Sequence, residues 1–140
     1  METFFKQYNI VALGISCFGP IDLNKNHDTY GSILKSTKVK WSNYNIINVF
    51  KNELNVPVGF DTDVNGACLA ETMYGVGKGL DNVVYFTIGT GIGVGLCLNG
   101  KPQHGLLHPE GGHISVKRYP NDNYEGCCIF HKDCLRGVIV

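Results

Sequence analysis

Tyr8-Asn9-Ile10-Val11-Ala12-Leu13-Gly14-Ile15-Ser16 is the stretch on which the fold turns. Its Ile, Val and Leu residues come without polar alternation, which predicts a strand buried on both faces, as in a parallel sheet. Phe18-Gly19-Pro20 breaks it. Residues 21–43 follow as a polar, Asn- and Lys-rich connection, of the length that is usually functional or mobile. Ser42 or Asn43 is placed to cap a short helix that carries Ile47, Phe50 and Leu54 on one stripe. Val56 to Phe60 predicts a second short buried strand, with Asp61-Thr62-Asp63 at its end. A helix then starts near Val64 and runs until Gly75 and Gly77 stop it. Val83 to Ile88 and Ile92 to Leu98 read as two more strands, and Asn99-Gly100 as a two-residue hairpin turn. From Lys101 onward His, Gly, Pro and Cys dominate, and the pattern becomes irregular. The class is α/β.

The composition agrees with a folded domain. Of 140 residues, 44% are hydrophobic and 17% charged, enough to build a core. Twelve Lys and Arg balance twelve Asp and Glu, which argues against binding to nucleic acid or to anionic membranes. The N-terminus lacks a basic stretch followed by a long apolar core, and Ile10 to Phe18 is too short to span a bilayer. The expectation is a soluble, cytoplasmic chain whose thiols stay reduced, so that clustered cysteines point to a metal before disulfides.

That cluster is the strongest single signal. His113 is followed, after fourteen intervening residues, by Cys128-x-x-His131-x-x-Cys134. Two thiolates and two imidazoles make a complete tetrahedral shell for Zn²⁺, with no place left for water, so the zinc would be structural. In a segment poor in regular structure, metal binding would supply the ordering energy. Cys127 and His108 compete for the same role, and spacing alone does not exclude them.

Gly89-Thr90-Gly91-Ile92-Gly93-Val94-Gly95 continues into a strand rather than a helix, so it is not a dinucleotide fingerprint. Glycine at every second position strips one face of a hairpin. Either a phosphate approaches that backbone, with the Thr90 hydroxyl as a donor, or another element packs on it. Asp61 and Asp63 are similarly open between two readings. A cap for the following helix is the commoner use; a general base at the end of a strand is the sharper one.

Taken together, Gly14-Ile15-Ser16-Cys17-Phe18-Gly19-Pro20-Ile21-Asp22, Asp61-Thr62-Asp63-Val64-Asn65-Gly66-Ala67, Gly89-Thr90-Gly91-Ile92-Gly93 and His108-Pro109-Glu110-Gly111-Gly112-His113 closely resemble the ROK family of sugar kinases. The Cys128-x-x-His131-x-x-Cys134 run is similar to the bacterial fructokinase branch. The resemblance implies an actin-like (ribonuclease H-like) sugar-kinase fold, present in part, with a zinc-stabilised loop. Residues 1–100 would form most of the N-terminal lobe without its first phosphate-loop strand. Residues 101–140 would be a sugar-contact and zinc segment leading into a C-terminal lobe.

The implied activity is transfer of the γ-phosphoryl of Mg-ATP to a hexose, fructose above all. Asp63 would be the catalytic base, and Glu110 and His113 would contact the sugar. Gly89, Thr90 and Gly91 would hold the ATP phosphates, while His113, Cys128, His131 and Cys134 would bind structural Zn²⁺. Kinases of this kind are often homodimers. Phe4-Phe5-Lys6 resembles the tail of a helix before the family's third or a later strand. Arg136 stands where the family usually places a sugar-contacting glutamate. With half of the nucleotide cleft outside the chain, the isolated 140 residues are expected to be inactive, because positioning supplies nearly all of the catalysis in phosphoryl transfer. The alternative is a non-catalytic zinc-binding or sugar-sensing module, or a degenerate kinase remnant.

Overall fold

A computed structural model describes residues 7–139, which fall into two compact units, Met1–Asp63 and Val64–Val140. Phe4 to Lys6, read above as a helix tail, lie outside the described residues. The first unit contains β1 (Leu13–Cys17), β2 (Ser32–Ile33), a 3₁₀ turn (Val39–Trp41), β3 (Tyr44–Asn45), α1 (Ile46–Glu53) and β4 (Val58–Thr62). β1 and β4 pair in parallel, with Leu13 opposite Val58 and Cys17 opposite Thr62.

The parallel pairing agrees with the sequence, but two details of the first strand do not. It begins at Leu13 rather than Tyr8, and it is not buried on both faces: Gly14 and Ser16 are exposed and Cys17 alone is buried. Among the described residues β4 is its one strand neighbour. Its apolar cover comes from one cluster, in which Cys17, Ile21 and Ile33 are surrounded by Phe18, Leu23, Ile46 and Phe60.

The polar connection is more ordered than its composition predicts. Ile21 bridges to Ile33, and Ser32–Ile33 pairs antiparallel with Tyr44–Asn45. Asp22, only 3% exposed, organises the turn between them. Thr29 Oγ1 donates to its carboxylate at 2.5 Å, the Asn24 amide at 3.0 Å and His27 Nδ1 lies at 3.1 Å. Burial pushes this carboxyl up, but the hydrogen bonds from Thr29, Asn24 and His27 outweigh it and hold it below the usual carboxylate value. The helix cap is likewise displaced. Asn45, not Ser42 or Asn43, accepts from the Asn48 amide at 2.9 Å. Ser42 is occupied instead by the backbone carbonyl of Ser36, to which its hydroxyl donates at 3.1 Å. Ile47 is buried as the stripe predicts.

α2 (Asp63–Tyr74) starts with Asp63 itself, so Asp61 and Thr62 belong to β4 and not to the turn after it. The second unit adds β5 (Asn82–Ile88), β6 (Ile92–Leu98), β7 (Lys101–Pro102), a 3₁₀ turn (Gly111–His113) and α3 (Leu135–Ile139). β5, β6 and β7 form an antiparallel sheet. Asn99 and Gly100, at φ of 50° and 71°, make the predicted turn between β6 and β7. Among the described residues no helix is long and apolar enough to cross a membrane.

The glycines of β6 explain why α2 can lie so close. A β-carbon on Gly93 would stand 2.8 Å from Val64 Cγ1. On Gly95 it would collide with the Val64 carbonyl oxygen and come within 2.9 Å of Cys68 Cβ. Backbone meets backbone there, and no side chain fits between. Gly95→Ala is therefore expected to lower stability by about 1–3 kcal/mol, the usual cost of overpacking, read as a drop in the thermal or urea midpoint. An unchanged midpoint would show that α2 can move away freely.

Candidate functional site

The 3₁₀ turn Gly111–His113 is seated on β6. A β-carbon on Gly111 would fall 2.5 Å from Val94 Cγ2, and one on Gly112 would strike the Ile92 carbonyl oxygen. The His113 amide donates to Glu110 O at 2.9 Å, closing the turn. His113 is thus fixed by backbone packing before any ligand is considered. Ser115 bridges to Cys134, and the Leu135 amide donates to Ile114 O at 2.9 Å. These bonds bring the last segment of the chain alongside His113.

His113, Cys128, His131 and Cys134 converge as the spacing predicts, with their donor atoms all within 4.8 Å of one another. Cys128 Sγ lies 3.6 Å from His113 Nδ1 and 3.9 Å from His131 Nδ1, and Cys134 Sγ lies 3.8 Å from His113 Nδ1. Tetrahedral ligands at bond lengths of about 2.0–2.3 Å stand roughly 3.3–3.8 Å apart. The donor set and its spacing therefore suit a tetrahedral ion of borderline softness. Cys134 is buried, and its sulfur accepts the Gly137 amide at 3.3 Å. Burial pushes the Cys128 thiol up, but the Phe130 and His131 amides, with the Cys134 and His131 side chains, pull it down to about 6. Cys128 is a thiolate at neutral pH.

Neither competing ligand joins the cluster. His108 is buried, and its Nδ1 lies 3.4 Å from Glu110 Oε1. Cys127 is exposed and its thiol faces Arg136 O at 3.7 Å.

The loop that delivers Cys128 is closed by Arg118, a residue that no motif singles out. Its Nε donates to Asp133 Oδ1 at 2.5 Å, its Nη2 to Lys132 O at 3.0 Å, and its Nη1 to Tyr124 O. Asp122 adds a carboxylate oxygen 3.7 Å away. These partners are 4 to 15 residues distant, so only the folded chain reveals the clamp. The charge of Arg118 is met by Asp122 and Asp133.

The glycine-rich segment is divided along its length. Gly93 and Gly95 carry α2, as above. Gly89 has open space where a side chain would be, and Thr90 is exposed at the bend between β5 and β6. The Gly89 amide donates to Gly91 O at 3.0 Å. In the first unit Asp63 is exposed at the C-terminal end of β4. Its neighbour Asp61 is turned back on the backbone, with Oδ1 accepting the Thr62 amide at 2.7 Å. Burial pushes the Cys17 thiol up, and the Asp63 charge adds to the effect.

In metal-free chain, iodoacetamide should alkylate Cys128 at a rate that rises as pH passes about 6 and then levels off. Added zinc should block it, with peptide mass mapping separating Cys128 from Cys127. A rate still climbing at pH 9 would show an ordinary thiol.

The ROK family model matches residues 2–139. A Bacillus subtilis protein provisionally named a fructokinase is 47% identical over 135 residues, covering 96% of this chain and 45% of its own length. The Zymomonas mobilis fructokinase is 44% identical over 142 residues, covering 96% of this chain and 47% of its own length. Among solved structures, a ROK family glucokinase from Streptomyces griseus, described in complex with glucose and AMPPNP, matches with a TM-score of 0.64 at 28% identity. It covers 80% of this chain and 35% of that one. The chain spans about half the length of the curated relatives it matches. Its α/β elements follow the actin-like fold of the ROK sugar kinases, and with that model matched across nearly every residue, the chain belongs to the ROK family.

Proposed function

We propose that this chain serves the ATP-dependent phosphorylation of a hexose, with fructose to fructose 6-phosphate as the first choice. The observation that carries the reading is the double use of His113. It ends the turn that begins at Glu110 and it is one of the four converging donors. A metal bound there would hold the Glu110–His113 turn in place for a sugar. The preference for fructose is supported by relatives of that name at 44–47% identity.

On this reading Glu110 and His113 contact sugar hydroxyls. Asp63, exposed at the carboxyl end of a parallel strand, accepts the proton of the hydroxyl that attacks. Gly89, Thr90 and Gly91 hold the ATP phosphates, with Mg²⁺ accompanying the nucleotide. His113, Cys128, His131 and Cys134 would hold Zn²⁺. Four protein donors leave no open position, so the ion's part is to brace the loop. Residues 1–100 then correspond to most of one lobe and residues 101–140 to the sugar-contact and zinc segment. A cytoplasmic setting, where both thiols stay reduced, and a homodimer go with the reading.

A coupled assay with fructose and ATP is expected to detect no turnover by the isolated 140 residues. In the corresponding complete kinase, Asp63→Asn should lower kcat by roughly 10²–10⁴-fold, the usual range for a general base. Turnover close to the parent's would remove Asp63 from that role. Cys134→Ser should bring zinc, measured by elemental analysis, from about one per chain to near none and loosen residues 113–137. Unchanged stoichiometry would point to Cys127 or another ligand in the fourth place.

A further inference from the structure

Arg136 is a charged side chain of the second unit that takes no part in the scheme above. It sits on α3, two residues beyond Cys134. Its guanidinium lies against the bend between β5 and β6. A β-carbon on Gly91 would stand 3.6 Å from Arg136 Nε, 3.7 Å from Cζ and 3.9 Å from Nη2. A β-carbon there would only be in ordinary van der Waals contact, so the guanidinium lies one atom layer from the Gly91 backbone. Nε is buried and has no hydrogen-bond partner.

The contrast with Arg118 is informative. Arg118 has all three nitrogens committed to Asp133, Lys132 and Tyr124. Among the described residues no ion pair is formed by Arg136. A partly buried cation with an orphaned donor is costly unless an anion completes it. A planar guanidinium fork suits a phosphoryl group, to which it can donate two parallel hydrogen bonds.

The surroundings narrow the ligand further. Gly89 is open to approach, Thr90 offers an exposed hydroxyl, and a glycine bend lets an anion come close to the backbone. We infer that Arg136 and the Gly89–Gly91 bend form one site for a phosphoryl group, with Arg136 supplying its counter-charge. This rests on the phosphate role proposed for Gly89, Thr90 and Gly91. It adds a residue to that role, and it makes the site cationic at a position where the family resemblance expects a sugar-contacting carboxylate. Two sources share the chemistry: the phosphates of a nucleotide and the phosphate of a phosphorylated sugar.

The test is calorimetric titration of the 140-residue chain, loaded with zinc, with tripolyphosphate, ATP, fructose 6-phosphate and fructose. The parent, Arg136→Gln and Arg136→Lys are compared. The parent is expected to bind tripolyphosphate, and Arg136→Gln to bind it at least ~10-fold more weakly, as fits loss of a charge-assisted pair. Arg136→Lys, which keeps the charge but loses the fork, should fall between. Zinc stoichiometry reports whether each variant is folded. If Arg136→Gln fails to fold, the decision passes to Arg136→Lys against the parent.

A matching loss with ATP identifies the nucleotide as the source, and one with fructose 6-phosphate identifies the sugar phosphate. Either supports the site. No tripolyphosphate binding by the parent, or equal affinity in a folded variant, overturns it. Binding is read without turnover. Failure of a complete kinase to phosphorylate fructose, with Arg136-dependent phosphate binding intact, would defeat the kinase reading alone.

Discussion

The second unit depends on β6 being approachable by backbone from both sides. On one face Gly93 and Gly95 let α2 settle against the strand until Val64 meets it directly. On the other, Val94 and Ile92 receive Gly111 and Gly112, whose own lack of side chains allows the contact. One strand thereby fixes α2 and the turn that ends at His113. Close packing of this kind tolerates no added methyl group. It also explains why 18 glycines do not make the chain disordered: several of them are contact surfaces.

From that seat the Cys and His cluster follows. His113 is presented by the turn, the bridge from Ser115 to Cys134 draws in the last segment, and Arg118 closes the loop that carries Cys128. The Phe130 and His131 amides that point at Cys128 favour its thiolate over the thiol. The site is thus polarised for a cation by the backbone around it. Regular structure contributes little here, and a bound metal would add the remaining order.

The two arginines of this region show how context divides identical side chains. Arg118 is consumed by structure, its charge met by Asp133 and Asp122. Arg136 keeps a buried, unpartnered donor next to a glycine bend. In sequence both are cations balanced in the net charge, and only the family resemblance sets Arg136 apart. Their different fates arise from partners that spacing does not specify.

What the sequence determined by itself was whatever local spacing encodes. The four metal-type donors, the Asn99-Gly100 turn, the parallel pairing of the first strand and the helix after Asp63 were all legible. Each is set by periodicity, by φ preference or by ligand chemistry over a few residues. The tertiary structure decided the rest. It set the first strand at Leu13 and left one face exposed. It moved the cap to Asn45, excluded His108 and Cys127 from the cluster, and divided the glycines between packing and open space. It also drew Arg136 against Gly91. These depend on which side chains meet across long loops, where the energy of a contact is set by three-dimensional neighbours and not by position along the chain.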